Sequence, residues 1–161
     1  TLRLYFMESF YGHRALAAIV ARNLEAIGFA VSYEGLSSVE WSKRIRKDHD
    51  FDLIIVGGTM APDIEITATK YASNGLNNMG LHHNKDADAA YEAARTAVTR
   101  QERGAHYRRL QEIWRRDCEF VPLFWYGTYY ARSKRFFGWA DQLDYSIPWW
   151  HWGRIRPVSQ G

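Results

Sequence analysis

In the amino-terminal third of the chain, short apolar blocks alternate with stretches whose apolar residues recur at helical spacing. Leu2–Met7 mixes aliphatic and aromatic residues and reads as a short strand. Arg14–Ile27 then carries Leu16, Ile19, Val20, Leu24 and Ile27 on one helical stripe. Gly28 follows where a carboxy-terminal helix cap belongs. Phe29–Tyr33 reads as a second strand. Ser37 and Glu40 have the spacing of a capping box, opening a short helix that runs to about Lys47. Asp52–Val56 is an apolar, mostly β-branched run ending at Gly57-Gly58, which suits a strand buried on both faces. Strand–helix–strand–helix–strand in this order is the pattern of a parallel sheet, so the expected fold class is α/β, with a parallel-core sheet flanked by helices.

The remainder is mainly helical. Asp86–Val98 places Ala87, Tyr91, Ala94 and Val98 on one face. Thr99 and Glu102 form a second capping box, opening a helix to about Asp117 with Tyr107, Leu110, Ile113 and Trp114 as its apolar stripe. Phe120–Tyr126 and Thr128–Arg132 read as strands, Pro122 placing the first at a sheet edge. From Phe136 onward the sequence is irregular and aromatic, with Gly and Pro interspersed. The expected organisation is an α/β unit over residues 1–135 followed by an irregular aromatic segment over 136–161.

Composition narrows the class. The 161 residues fit one domain and suffice for a buried core. Hydrophobic residues at 47% and charged residues at 24% are ordinary for a folded globular chain, so disorder is not the expectation. Aromatic residues reach 16%, crowded toward the end, and suit either a thick core or a contact face. The net charge of +3 favours acidic partners only mildly. Lys43, Arg44, Arg46 and Lys47 fall on a helix and read as a solvated face; Arg132, Lys134 and Arg135 sit among turn residues and read the same way. One cysteine, Cys118, precludes an intrachain disulfide and reads as a buried small residue rather than a nucleophile. No apolar run is long enough to span a membrane, and no signal peptide is visible. The chain starts at Thr1 and enters a strand at once, which suggests a fragment or a processed product.

Ligands of open α/β sheets sit beyond the carboxyl ends of the parallel strands. Three segments qualify: Glu8–Gly12, Glu34–Ser38 and Gly57–Asp63. In the third, Gly57, Gly58, Thr59 and Met60 offer backbone for close approach, and Asp63 supplies a carboxylate. Asp63 either pairs with a cationic ligand group or caps a following helix from its place after Pro62; one residue could do both. Phosphate-loop and dinucleotide fingerprints are absent, as is the Gly-x-Ser-x-Gly elbow of serine hydrolases. His82 and His83, near Asp86 and Asp88, read as solvated residues, with neither an HExxH motif nor a cysteine pair to make a metal site. Asp63 and Glu65 are too close in sequence to face each other across a glycoside. No catalytic residue, cofactor or metal is expected.

Several strings, in order, resemble the carboxy-terminal lobe of the dipeptide/oligopeptide-binding family, the large extracytoplasmic solute-binding proteins of ABC-type importers. They are Leu24-Glu25-Ala26-Ile27-Gly28-Phe29-Ala30-Val31, Phe51-Asp52-Leu53-Ile54-Ile55-Val56-Gly57-Gly58 with Pro62-Asp63, and Asn78. After these come Asn84-Lys85-Asp86-Ala87-Asp88, the helix bearing Arg103, Tyr107 and Gln111, then Val121-Pro122-Leu123-Phe124 and the Gly138-Trp139 turn. The resemblance implies a periplasmic-binding-protein-like lobe of a longer two-lobe protein. A peptide or other small solute would lie buried between this lobe and an amino-terminal one, and residues 136–161 would pack on either lobe. It further implies importer membrane subunits as partners and a place in the periplasm or on the outer face of the cell membrane. Peptide-binding members commonly follow the third-strand glycine with Trp and then Asp-Tyr, the Asp holding the peptide amino group. Here Gly58 replaces that Trp, Ala61-Pro62 stand in place of Asp-Tyr, and Asp63 lies two residues later; His82 replaces the Tyr usual before Asn84.

The leading functional reading is therefore ligand binding for import, without catalysis. An α/β enzyme domain is the alternative, but no nucleophile–base constellation supports it. A nucleic-acid-binding domain would need Lys and Arg on one face with exposed aromatics between them, whereas the charges here are dispersed and nearly balanced.

Overall fold

β1 (Leu2–Met7) lies between β2 (Val31–Leu36) and β3 (Leu53–Ile55) in a parallel sheet of order β2-β1-β3. The computed structural model describes residues 1–57, 65–125, 133–138 and 153–158. The three apolar blocks thus share one sheet, as their alternation with helices requires. Leu2 pairs with Val31 and Met7 with Leu36, while Leu4 pairs with Leu53 and Phe6 with Ile55. The period-2 alternation sends Leu4 and Phe6 to one face and Tyr5 and Met7 to the other.

Each face carries one helical layer. α1 (His13–Glu25) buries His13, Ala17 and Ala21. Leu16 and Val20 pack half-buried against the core of Leu4, Phe6, Ala17 and Ile55. Ile19 and Ile27, expected on this stripe, are exposed. The alanines make the close approach to the sheet, which leaves Ile19 on the flank, and Ile27 lies past the helix end. Gly28, in the left-handed region at φ 96°, closes α1, with Phe29 N donating to Leu24 O at 3.1 Å. That bond ties Phe29 to the helix terminus, so β2 begins at Val31 rather than at Phe29.

The opposite face is covered by α2 (Ser38–Trp41), which continues as a π-helical stretch, Ser42–Lys47. The expected capping box forms: Glu40 N donates to Ser37 Oγ at 3.3 Å, and Ser37 N donates to Glu40 Oε2 at 3.0 Å. Trp41 and Ile45 bury against Tyr5 and Leu36, with Met7, Phe51, Ile54 and Met79 alongside. Arg3 clasps the loop before β3. Its backbone N donates to Asp52 Oδ2 at 2.8 Å, its Nε reaches the same oxygen at 3.1 Å, and its guanidinium also pairs with Asp50. Asp52 N in turn donates to Arg3 O at 3.2 Å, so Asp52 is tied to β1 through backbone and side chain just ahead of β3, which is shorter than the apolar run suggested.

The chain divides into two compact units, Thr1–Gly58 with Ala68–Asp88, and Thr59–Thr67 with Ala89–Gly161. In the first, Ser73 donates to Asp88 from its backbone N at 2.8 Å and from Oγ at 2.6 Å. Asn84 Oδ1 accepts from Asp86 N at 3.0 Å and so caps α4 (Lys85–Thr96). In the second unit, Ala90, Tyr91 and Ala94 of α4 are buried, but Val98 is exposed because the helix ends at Thr96. α5 (Arg100–Asp117) starts at the Thr99–Glu102 capping box and buries the stripe read from the sequence, Tyr107, Leu110, Ile113 and Trp114. Short antiparallel strands β4 (Phe136–Phe137) and β5 (Arg156–Pro157) pair farther on.

Two expectations in this unit are corrected. Cys118 is exposed, occupying the left-handed cap of α5 at φ 53°. Residues 120–125 form no strand. Pro122 has no N–H to give, Val121 and Trp125 face solvent, and no described strand lies alongside to accept a ladder. Tyr126 and the expected strand Thr128–Arg132 lie outside the described residues, as does Trp139. No described helix is long and apolar enough to cross a membrane.

Thr99→Ala removes one capping acceptor and should lower stability by about 1 kcal/mol. Leu110→Ala, at a fully buried position of the same helix, should cost about 2–5 kcal/mol. Urea unfolding of both variants beside the parent chain measures the difference.

Candidate functional site

Because β1 is central, the connection from β1 to β2 runs over one face of the sheet and that from β2 to β3 over the other. The carboxyl ends of β1 and β3 therefore lie side by side with their following segments diverging, the arrangement that opens a crevice in α/β sheets. A cavity of about 250 Å³ occupies that place.

Its floor is the strand ends themselves, Met7 of β1 and Ile55, Val56 and Gly57 at the close of β3. On one side stand Phe10 and His13, from the turn into α1. Their rings stack at 5.0 Å with an interplanar angle of 23°. A Cβ on Gly57 would come to 3.4 Å from His13 Nε2, an ordinary contact distance, so the strand end lies beside the imidazole. His13 is buried, and desolvation lowers its pKa, keeping the ring neutral at pH 7. The opposite wall is apolar: Trp41 from α2 and Met79 from the loop before α4. His49 Nδ1, 3.0 Å from Met79 O, tethers that loop.

Polar groups enter from the rim. Arg46, on the π-helical turn, and Lys70, in the turn after α3 (Glu65–Ala68), both line the cavity, with Asn77 beside them. Arg46 NH1 donates to Asn77 Oδ1 at 3.5 Å. Lys70 is half-buried, and loss of hydration lowers its pKa. The basic cluster on this segment is therefore not uniform: Lys43 pairs with Asp48 and Arg44 with Glu34, while Arg46 faces the cavity.

Of the candidate ligand-binding residues, Gly57 lines the cavity; Gly58, Thr59, Met60 and Asp63 lie outside the described residues. Sequence reasoning did not single out Phe10, His13, Trp41, Arg46, Lys70, Asn77 or Met79 as site residues. They belong to no motif, and only the strand-end rule pointed toward Phe10. His82, expected in a solvated loop, is half-buried against Tyr71, the rings 5.5 Å apart. Its backbone is held at both ends by Asn78, whose Nδ2 donates to His82 O and whose Oδ1 accepts from His82 N. Among the described residues no three His, Cys, Asp or Glu side chains gather as a metal site.

No protein-family model matches the sequence, and no curated protein matches it. Solved structures do. AppA from Clostridium difficile, a candidate peptide-binding protein, superposes with a TM-score of 0.78 at 16% identity, over 98% of this chain and 33% of its own. The ABC transporter substrate-binding protein CtaP of Listeria monocytogenes gives 0.64 at 23% identity, over 70% of this chain and 24% of its own. The oligopeptide-binding protein AppA of Bacillus subtilis, solved with a nonapeptide, gives 0.63 at 19% identity, over 72% and 24%. The fold is that of one lobe of these binding proteins. The lobe spans a quarter to a third of their length.

Burial lowers the pKa of both His13 and His82 from the ordinary 6.5. Below that value the unfolded chain takes up protons that the folded lobe refuses, so stability is full above it and declines as pH falls toward the folded-state values. The shifted carboxylates Glu40, Asp48 and Asp52 are all lowered from 4.5 or 3.8 and act at more acid pH. The melting midpoint should therefore drop between about pH 7 and about pH 5.5, the window of histidine titration. Scanning the His13→Asn and His82→Asn variants over that window should show a shallower decline in each.

Proposed function

We propose that this lobe is the carboxy-terminal half of a ligand-binding site in an ABC-importer substrate-binding protein, taking a peptide or another small solute. What carries the reading is the superposition on the Clostridium difficile protein over 98% of the chain, combined with a cavity at the strand ends where α/β sheets receive ligands. Binding of this kind uses shape, backbone groups and a few charges, and involves no bond-making step. An amino-terminal lobe completes the cleft, closure of the two lobes over the ligand signals to the importer's membrane subunits, and the site of action is the periplasm or the outer face of the membrane. Residues 136–161 pack on this lobe or on its partner. Gly57, Gly58, Thr59 and Met60 form the edge of the cleft, and Asp63 faces a cationic group of the ligand.

The reading is tested on the two-lobed protein that contains this sequence. Small-angle scattering with and without a peptide library should show a smaller radius of gyration on binding; an unchanged radius together with no calorimetric heat for any peptide or sugar would remove the proposal. Asp63→Asn should weaken a cationic ligand by about 1.5–3 kcal/mol, against about 1 kcal/mol for Thr59→Ala. If Asp63 only caps a helix, Asp63→Asn leaves affinity and melting temperature nearly unchanged, since Asn caps as well as Asp.

A further inference from the structure

The cavity's charge is one-sided. Among its described lining residues are two cations, Arg46 and Lys70, and no carboxylate. Neither cation makes an ion pair among the described residues, unlike Lys43 and Arg44 on the same helical stretch. Lys70 is half-buried, and an ammonium withdrawn from water without a counter-charge is costly to the fold. The rest of the lining is apolar or aromatic, save the neutral His13 and the Asn77 amide. We infer that this cavity is a subsite for a carboxylate-bearing group of the ligand, the anion meeting Lys70 and Arg46 while an apolar or aromatic body rests against Phe10, Trp41 and Met79. This deepens the binding-protein reading, on which it rests for the cavity's being a ligand site. It differs from what the sequence resemblance implies, where the lobe's charged contact is a carboxylate for a ligand ammonium.

Two chemistries share such a group, a free organic acid and a peptide carboxyl terminus, and paired probes separate them. The first set is 3-phenylpropionate, its amide and 3-phenylpropylamine; the second is N-acetyl-glycyl-phenylalanine and its amide. Binding to the 161-residue chain is read from the ¹³C-methyl resonances of Met7 and Met79, both on the cavity wall. The carboxylates should bind about tenfold more tightly than the amides, the margin expected when a charged partner replaces a neutral one. The amine should bind weakest. Lys70→Met and Arg46→Gln should each shrink the margin severalfold, and Lys70→Met should melt no lower than the parent, because it removes a half-buried cation with no ion-pair partner among the described residues. Should Lys70→Met fail to fold, Arg46→Gln decides.

A margin confined to the phenylpropionate pair identifies a free acid; a margin in both pairs admits the peptide terminus. Equal binding of acid and amide overturns the inference. So do tighter binding of the amine, a margin that survives both substitutions, or no methyl shift with any probe up to about 10 mM, the weak limit of specific binding. Failure of the two-lobed protein to close while the acid preference persists would remove the importer reading and leave the subsite standing.

Discussion

The pairing of β1 on both of its edges is the constraint from which the first unit is built. Six residues of β1 meet six of β2, and three of them also meet β3. The crossovers of a parallel sheet lay helices on both faces of this central strand, and each face then needs its own apolar set. Leu4 and Phe6 supply one, Tyr5 and Met7 the other, and a slip of one residue would exchange them. Tyr5 shows what a slip would undo: its hydroxyl accepts from Arg44 NH1 at 3.0 Å, and Arg44 also lies over its ring. The Arg3–Asp52 clasp fixes the same register from the strand's other end, through a backbone donor that cannot move independently of the ladder.

The cavity inherits its position from that central strand. With β1 in the middle, the two connections diverge over opposite faces, and nothing from the three-strand core covers the adjoining ends of β1 and β3. The segments that reach the opening come from distant parts of the sequence: the turn into α1, the π-helical turn after Trp41, the turn after α3 and the loop bearing Met79. A π-helical turn departs from α-helical spacing, and such turns often occur at functional sites. Here the segment that holds Arg46 on the rim also buries Ile45 on the sheet.

Local stability and site chemistry pull against each other around the opening. His13 is buried where its charged form is disfavoured, and Lys70 is partly desolvated with no described counter-charge. Neither arrangement helps the chain fold. The surrounding order absorbs the cost: α1 is anchored by Ala17 and Ala21 against the core, and the Ser73–Asp88 pair fastens the loop region to the start of α4. The half-buried loop residues are held by side chain–backbone bonds such as those of Asn78 and Asn84, which satisfy irregular backbone without regular structure.

What the sequence determined by itself is local and periodic. The strand blocks, the amphipathic stripe of α5 and both capping boxes depend on residues a few positions apart, and they are found where the spacing puts them. The α/β class followed because parallel strands need helical crossovers between them. Limits of elements were less legible, for they depend on partners remote in sequence. Asp52 binds Arg3 just ahead of β3, Phe29 closes a helix instead of opening a strand, and 120–125 finds no described strand beside it. Burial was least legible of all. Cys118 and Ile19 are exposed and His82 is tucked under Tyr71, because burial belongs to a pair of surfaces and not to a residue. The same holds for Arg46 and Lys70, twenty-four positions apart by number, one within a basic run and one in an unremarked turn. Only the tertiary structure sets both on the rim of one cavity and leaves their charges facing it.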